Sequence, residues 1–194
     1  VGTSLDGHTP ELNEARFGRR SHALFDRLVA NIEQLTQHGV KVSVSCVVTR
    51  DNYETMSDFY RFCSGYGLDL KINALATVGG NGLEFHYKQY VNAFMALFKC
   101  WIEDSSPGIR VLTVLEAASA LLSGVPRLCS FRDACGFYTV LSDGMVLPCG
   151  RNCAHPYVIG NINKDNVGQL KTGMREWEHL GKAAIPKECL RCRF

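Results

Sequence analysis

The sequence predicts an α/β fold for the first two thirds of the chain, followed by a small cysteine-rich domain. Two successive segments alternate apolar and polar residues, as strands do, and helices with apolar stripes precede and separate them. The cysteines concentrate towards the end of the chain, where six of the nine lie after residue 128. Strands with one polar face, joined by helices, predict a βαβ array in the form of an open barrel with a polar interior.

The first half of the chain carries the clearest periodic pattern. Residues 1–4 are predicted to end a strand, residues 23–38 to form a helix that Gly39 ends, and residues 41–49 to form the next strand. The predicted helix has an apolar stripe of Leu24, Leu28, Ile32 and Leu35. The strand places Val42, Val44, Cys46 and Val48 on one face, opposite Lys41, Ser43 and Ser45.

A second helix and strand repeat this arrangement. Residues 53–66 are predicted to form a helix that buries Met56, Phe59, Tyr60 and Cys63, so Cys46 and Cys63 are expected in the core. In the strand over residues 70–76, the residues Leu70, Ile72 and Ala74 lie opposite Lys71 and Asn73. Strand parity alone therefore makes the polar-face residues candidate contacts for a cofactor or substrate in the barrel interior, and Ser43 and Asn73 are assigned to the cofactor. The polar-face residues are Lys41, Ser43, Ser45, Lys71 and Asn73.

The pattern continues through a third helix. Residues 79–82 read as a connecting loop, and residues 87–103 as an amphipathic helix with Cys100 off its apolar stripe. The expected buried face of this helix contains Val91, Phe94, Met95, Phe98 and Ile102. A short strand over residues 109–113 and a helix ending at Ser123 follow. The Gly and Pro residues after it favour a domain boundary, giving domains at residues 1–124 and 125–194.

A predicted hairpin organises the cysteines of the second domain. Two β-rich runs, at residues 136–141 and 145–148, flank the turn Ser142-Asp143-Gly144. The hairpin brings Cys135 and Cys149 to its open end, and Cys129 precedes it. Cys189 and Cys192 form a CxxC pair near the end of the chain. Thiolates in this arrangement suit zinc or an iron–sulfur cluster.

Other readings of the cysteines are disfavoured or remain open. The odd cysteine count and the absence of a secretory signal argue against a secreted disulfide scaffold. Cys153 and His155 lie near the hairpin in sequence and are expected to be bystanders.

A net charge of +2 with dispersed basic residues predicts no nucleic-acid partner, and no apolar run approaches the roughly 18 residues of a membrane span. The expected compartment is the cytoplasm.

Several segments, taken together in order, resemble one enzyme family. They are Ser4-Leu-Asp-Gly7, the helix LFDRLVANIEQLTQHGV, the strand VSCVVTRDN, LKINALATVGG, the run C-x5-C-x6-SDGMVLPC, YVIGNI and CLRC. This set resembles the radical SAM enzymes that carry a C-terminal SPASM extension. The resemblance implies part of an open (β/α)6 barrel followed by a truncated domain that binds auxiliary [4Fe–4S] clusters.

The resemblance also implies ligands. Cys129, Cys135 and Cys149 match ligands of the first auxiliary cluster, and Cys189 and Cys192 match ligands of the second. Ser4 matches a contact to S-adenosyl-L-methionine (SAM), and Arg16 lies near an arginine that some members place on SAM. The CxxxCxxC motif of the catalytic cluster does not occur in the sequence, so we expect a fragment of a longer protein that is inactive alone. No catalytic residue is assigned.

The implied function is modification of a ribosomally made peptide, by radical hydrogen abstraction and cross-linking. Sulfatase-maturing members carry an Asp directly after the cysteine matching Cys149, whereas this chain has Gly150, which disfavours that alternative. Partners would be a peptide or protein substrate and a leader-peptide recognition domain. A non-catalytic zinc-binding module and a peptide-binding module remain open alternatives.

Overall fold

The computed structural model describes residues 1–75, 87–105, 108–123, 138–148 and 157–183. The chain divides into two compact units, Val1–Ala118 and Ser119–Phe194. The boundary predicted between residues 124 and 125 lies outside the described ranges and stays a prediction. The loop predicted at residues 79–82 also lies outside them.

A three-stranded parallel sheet organises the first unit. Its strands are β1 (Gly2–Ser4), β2 (Ser43–Val48) and β3 (Asp69–Ala74), in the order β1-β2-β3. Parallel neighbours require crossover connections, and helices provide them here. In register, Ser4 lies beside Ser45 and Ser45 beside Lys71, while Asn73 lies beside Val47. Strands are therefore confirmed in the three segments predicted at residues 1–4, 41–49 and 70–76.

Within the described residues up to 123, five α-helices accompany this sheet. They are α1 (Glu14–Phe17), α2 (Ser21–Gln37), α3 (Met56–Gly65), α4 (Tyr87–Glu103) and α5 (Leu112–Ser123). Short 3-10 helices lie at Glu11–Asn13, Gly18–Arg20 and Tyr53–Thr55. Among the described residues, no helix combines the length and apolar character that crossing a membrane requires.

Helix α2 ends at Gln37, and the predicted stop follows at Gly39, whose φ of 74° suits glycine. Its N–H donates to Thr36 O at 2.9 Å, and the Val40 N–H donates to Leu35 O at 3.0 Å. These bonds satisfy carbonyls that the helix end leaves without partners. On the buried face, Phe25 rather than the predicted Leu24 is fully packed.

The core of the first unit lies between the apolar face of the sheet and its helices. Val42, Val44, Cys46 and Val48 are buried, as are Met56, Phe59, Tyr60 and Cys63 of α3. Both predicted sets are confirmed, including the two core cysteines. On β3, Leu70 and Ile72 are buried, but Ala74, the last residue of the strand, is exposed. The prediction that Ala74 shares their buried face is wrong.

Helix α4 has the predicted bounds but buries a different face. Val91, Met95 and Ile102 are 48%, 51% and 61% exposed, whereas Ala93 and Leu97 are fully buried. Helix α4 packs against α3, and a small side chain such as Ala93 lets two helices approach closely. The helix is apolar on more than one side, so periodicity alone could not choose the buried face. Phe94 and Phe98 are half-buried, and so is Cys100, which packs against the core.

The strand predicted at residues 109–113 is reduced to one bridge, between Val111 and Leu70. The chain turns into α5 directly afterwards. The Thr113 hydroxyl accepts a hydrogen bond from the Ile72 N–H at 2.9 Å and donates to Ile72 O at 3.1 Å. A side chain thus satisfies the backbone groups that a longer strand would have paired.

The described part of the second unit contains a small antiparallel sheet and one long helix. Strands β4 (Thr139–Val140), β5 (Met145–Leu147) and β6 (Gly160–Asn161) pair in that order, and α6 spans Val167–Ala183. The predicted turn is confirmed: Gly144 has φ 85°, and Asp143 Oδ1 accepts from the Met145 N–H at 2.9 Å. Cys135 and Cys149 flank this hairpin in the sequence and lie outside the described residues.

Candidate cofactor and cluster sites

The polar face of the parallel sheet carries Ser4 together with four residues predicted from strand parity, Ser43, Ser45, Lys71 and Asn73. Ser4, Ser45 and Lys71 form one row across the three strands, and each is half-buried. Asn73 lies one row nearer the carboxyl ends of the strands, and its amide donates to Ser45 Oγ at 2.9 Å. In parallel sheets, ligands bind at the carboxyl ends of the strands. Asn73 therefore lies on the side of the sheet where a ligand is expected.

Ser43 lies at the opposite end of β2. It is in register with Gly2 and Asp69, the first residues of their strands, and its hydroxyl is 3.5 Å from Val1 O. The structure places Ser43 on the same face as Ser45 and Asn73 but in the row at the amino ends. Its assignment as a cofactor contact stays a prediction. The position of Ser43 at the amino ends of the strands supports that assignment less than the position of Asn73 does.

A buried carboxylate organises the loop after β1. Asp6 Oδ1 accepts a hydrogen bond from the Val47 N–H at 2.9 Å, which joins the loop to β2. The Asn13 side chain accepts from the Asp6 N–H at 2.8 Å, and the Asn52 amide donates to Asp6 O at 2.7 Å. Sequence reasoning missed this network. The sequence does contain a signal for it, because Asp6 and Asn52 both follow strands. Polar side chains at such positions commonly form the hydrogen bonds of a turn or belong to a binding site.

Arg16 forms a fork on the same carboxylate. Its Nε lies 2.9 Å from Asp6 Oδ2 and its Nη2 lies 3.0 Å from Oδ1, and the Arg16 side chain is 30% exposed. Two parallel hydrogen bonds of this kind combine charge with fixed geometry. The SAM contact of Arg16 stays a prediction. The structure gives the residue a structural partner in Asp6.

A cavity of about 590 Å³ lies beside β1. Its lining comes from β1, α1 and α2 and includes Thr3, Ser4, Arg16, Leu24, Leu28 and Asn31. Two of the four predicted cofactor-binding residues, Ser4 and Arg16, therefore meet at one cavity. Ser43 and Asn73 do not line it.

An ion pair joins α5 to the polar face of the sheet. Lys71 Nζ lies 2.9 Å from Glu116 Oε1, with side chains 39% and 33% exposed. Glu116 was not predicted from the sequence. It follows Thr113 by three residues, so both side chains project from one side of α5 towards β3.

Cys46 and Cys63 lie buried in the core of the first unit. Burial raises the pKa of the Cys63 thiol, and burial together with the nearby Asp6 charge raises that of Cys46. A thiol with a raised pKa stays protonated, whereas metals bind the thiolate. The described ranges hold no cluster of His, Cys, Asp and Glu able to bind a metal. The predicted ligands Cys129, Cys135, Cys149, Cys189 and Cys192 lie outside those ranges.

Residues 129–193 match the SPASM family, which is described as an iron–sulfur cluster-binding domain. The match begins at Cys129 and includes the hairpin cysteines Cys135 and Cys149. It also includes the CxxC pair, Cys189 and Cys192. The segment predicted to hold clusters is therefore the segment that the family match covers.

Curated relatives extend the similarity over the whole chain. The mycofactocin maturase MftC of Mycolicibacterium smegmatis is 36% identical over 200 residues, covering 97% of this chain and 49% of that protein. The cysteine-type anaerobic sulfatase-maturating enzyme of Clostridium perfringens is 24% identical over 207 residues, covering 100% and 55%. The serine-type enzyme of Bacteroides thetaiotaomicron is 22% identical over 218 residues, covering 100% and 52%. The chain spans about half the length of these relatives.

Solved structures share the fold. Native anSMEcpe with bound AdoMet superposes with a TM-score of 0.76 at 22% identity, covering 100% of this chain and 55% of that one. Streptococcus suis SuiB bound to S-adenosylmethionine gives a TM-score of 0.63 at 15% identity, covering 99% and 47%. These superpositions confirm the predicted α/β architecture of a partial radical SAM barrel followed by a SPASM-type domain.

Proposed function

Because this chain belongs to the radical SAM maturases that carry a SPASM domain, we propose that the whole protein modifies a ribosomally synthesised peptide by hydrogen abstraction and cross-link formation. The observation that carries this proposal is the 36% identity to a mycofactocin maturase over 97% of the chain. Identity to the sulfatase-maturating relatives is 24% and 22%. The proposed substrate is therefore a ribosomally made peptide that a maturase of this kind modifies.

The residues of this chain suit the cofactors that the proposal requires. Cys129, Cys135, Cys149, Cys189 and Cys192 supply thiolates, the usual ligands of iron–sulfur clusters, within the SPASM match. Ser4 and Arg16 both line the cavity along β1 and offer a hydroxyl and a guanidinium, which suit the hydroxyl and carboxylate groups of SAM. When bound, a reduced [4Fe–4S] cluster and SAM supply a radical that abstracts hydrogen.

The proposal extends to the protein's surroundings. Cluster ligands must remain reduced thiolates, so we propose a reducing cytoplasm. A leader-peptide recognition domain elsewhere in the whole protein is also part of the proposal. The contribution of this chain is the polar sheet face and the cysteine set.

A second candidate is sulfatase maturation. It is supported by alignments over the full chain and by the superposition on anSMEcpe, solved with the Kp18Cys and Cp18Cys peptides. Gly150 argues against it, because the sulfatase-maturing enzymes carry an Asp at this position and glycine has no side chain to take a proton. The two candidates differ in the product they form.

The test is to incubate the whole enzyme, purified without oxygen and reduced, with SAM and three peptides. They are Kp18Cys, Cp18Cys and the precursor peptide of mycofactocin. We expect modification of the mycofactocin precursor, seen by mass spectrometry as a changed mass that depends on SAM. An aldehyde on Kp18Cys or Cp18Cys, trapped with a hydrazine, would instead establish sulfatase-type maturation. If 5′-deoxyadenosine does not form and no peptide changes, the catalytic proposal fails in favour of a zinc-binding or peptide-binding module.

A further inference from the structure

We propose that Lys71 and Glu116 together form a binding point for the main chain of the peptide substrate. This inference rests on the proposed function, because it assigns the substrate contact of that same site. The pair links α5 to the polar face of the sheet. Its role extends beyond that link because one oxygen of Glu116 is left for a ligand.

The position of the pair suits a ligand on the polar face. Lys71 shares a row with Ser4 and Ser45, and the Asn73–Ser45 hydrogen bond lies beside it towards the carboxyl ends of the strands. Both side chains of the pair are about one third exposed. A ligand on this face can therefore reach the exposed part of each side chain.

Glu116 has an acceptor that the described structure leaves unused. Its Oε1 contacts Lys71 Nζ at 2.9 Å. Its Oε2 is buried and has no hydrogen-bond donor among the described residues. A buried acceptor without a donor is costly in free energy, so such atoms are usually satisfied by a ligand or by water.

Holding α5 in place does not require this second oxygen. Thr113 already fastens the start of α5 to β3 through both backbone groups of Ile72. The Oε1 contact adds a second attachment three residues later. The orientation of Oε2 is thus not explained by packing of the helix.

The charge of the pair indicates the chemistry of its ligand. Lys71 and Glu116 neutralise each other, so a charged side chain of the substrate would find no unpaired charge of opposite sign to bind. A neutral N–H donor fits the free carboxylate oxygen, and the ammonium group retains further hydrogens for a carbonyl. A peptide main chain offers both groups close together. The pair therefore suits a backbone amide and its neighbouring carbonyl.

SAM also carries N–H donors, but the lining of the cavity proposed for it along β1 does not include this pair. The cavity that joins Ser4 and Arg16 lies along β1, and its lining includes neither Lys71 nor Glu116. Two strand spacings, or about 10 Å, separate the backbone of β1 from that of β3. The substrate peptide is the occupant that this arrangement favours.

The test measures binding of Kp18Cys, Cp18Cys and the mycofactocin precursor to the whole enzyme by fluorescence anisotropy, and SAM binding by calorimetry. Glu116→Gln keeps the shape of the side chain but turns a donor towards the ligand amide. We expect it to raise the Kd of the bound peptide about tenfold, with the Kd of SAM changed less than about twofold. Lys71→Met should raise the peptide Kd in the same direction. Asp58→Asn, which breaks the exposed Arg61–Asp58 pair, is the matched control and should change neither.

The outcomes separate this inference from the proposed function. Unchanged peptide binding in both Glu116→Gln and Lys71→Met overturns the inference while the proposed function stands. Equal weakening of SAM and peptide binding overturns it too, because the pair would then serve the cofactor. If the unmodified enzyme binds none of the three peptides, the proposed function itself fails, and the inference with it.

Discussion

Arg16 holds Asp6 through two hydrogen bonds, Nε to Oδ2 at 2.9 Å and Nη2 to Oδ1 at 3.0 Å. Asp6 also accepts the backbone N–H of Val47 at 2.9 Å. The fork therefore ties the loop that follows β1 to β2, next to the cavity that Ser4 lines. A residue expected to contact SAM thus has a second role in shaping the loop around the predicted SAM site.

Asp6→Asn tests this role. The amide keeps one acceptor but loses the charge that pairs with Arg16, so we expect a loss of about 2 kcal/mol in the free energy of unfolding. The measurement is urea unfolding of the protein followed by circular dichroism. Asp58→Asn breaks an exposed ion pair and should cost less than about 1 kcal/mol. Equal losses for the two variants would show that the fork adds nothing to stability.

The buried face of α4 can be checked by truncation. Leu97 is fully buried, so Leu97→Ala should destabilise the protein by about 2–5 kcal/mol through lost packing and a residual cavity. Met95 is half exposed on the face expected from periodicity, and Met95→Ala should stay within about 0.5 kcal/mol. The melting temperatures of the two variants decide between the faces. A larger drop for Met95→Ala would contradict the structure.

Thr113→Val removes the hydroxyl that serves both the N–H and the C=O of Ile72. The replacement has nearly the same shape but leaves two buried backbone groups without partners. We expect a loss of about 1–3 kcal/mol in the free energy of unfolding. The matched variant is Thr172→Val on α6, where the hydroxyl is exposed and contacts Gly168 O at 3.1 Å. If the two variants unfold at the same urea concentration, Thr113 does not stabilise the edge of β3.

The Asp69–Arg110 pair predicts a pH dependence of stability. Burial raises the pKa of Asp69, but the hydrogen bonds and the charge of Arg110 outweigh burial, so the pKa lies below its ordinary value of 3.8. A group whose pKa is lowered by folding stabilises the protein above its ordinary pKa. That contribution is lost as the pH falls through the lower folded value.

Asp69→Asn isolates this contribution. Near neutral pH the variant should be less stable than the unmodified protein, and the difference should shrink as the pH falls below 3.8. The measurement is the free energy of unfolding in urea at a series of acid pH values. A difference that stays constant with pH would show that the Asp69 charge does not contribute.

The cluster assignment predicts a loss of iron on cysteine replacement. Changing Cys135 and Cys149 together to Ala in the whole protein, purified without oxygen, should lower iron and acid-labile sulfide. Cys100→Ala is the control, because Cys100 packs against the core and should leave both contents unchanged. Zinc without sulfide in the unmodified protein would identify the hairpin as a structural metal site instead.

By itself, the sequence determined the features that depend on near neighbours along the chain. The alternation in β2 placed Val44 and Cys46 in the core, and the spacing in α3 did the same for Phe59 and Cys63, because strand and helix periods are local properties. The positive φ at Gly39 and the turn at Gly144 followed from the conformational freedom of glycine.

Only the tertiary structure decided which of these elements meet. Thr113 bonds to Ile72 across 41 residues and Lys71 pairs with Glu116 across 45, while α4 turned Leu97 rather than Met95 towards the core. Such contacts depend on how separate elements pack, and many apolar or polar positions on a helix satisfy the same local pattern. The fold could therefore be predicted from the sequence, whereas the polar partners around the candidate site could be identified only in the assembled structure.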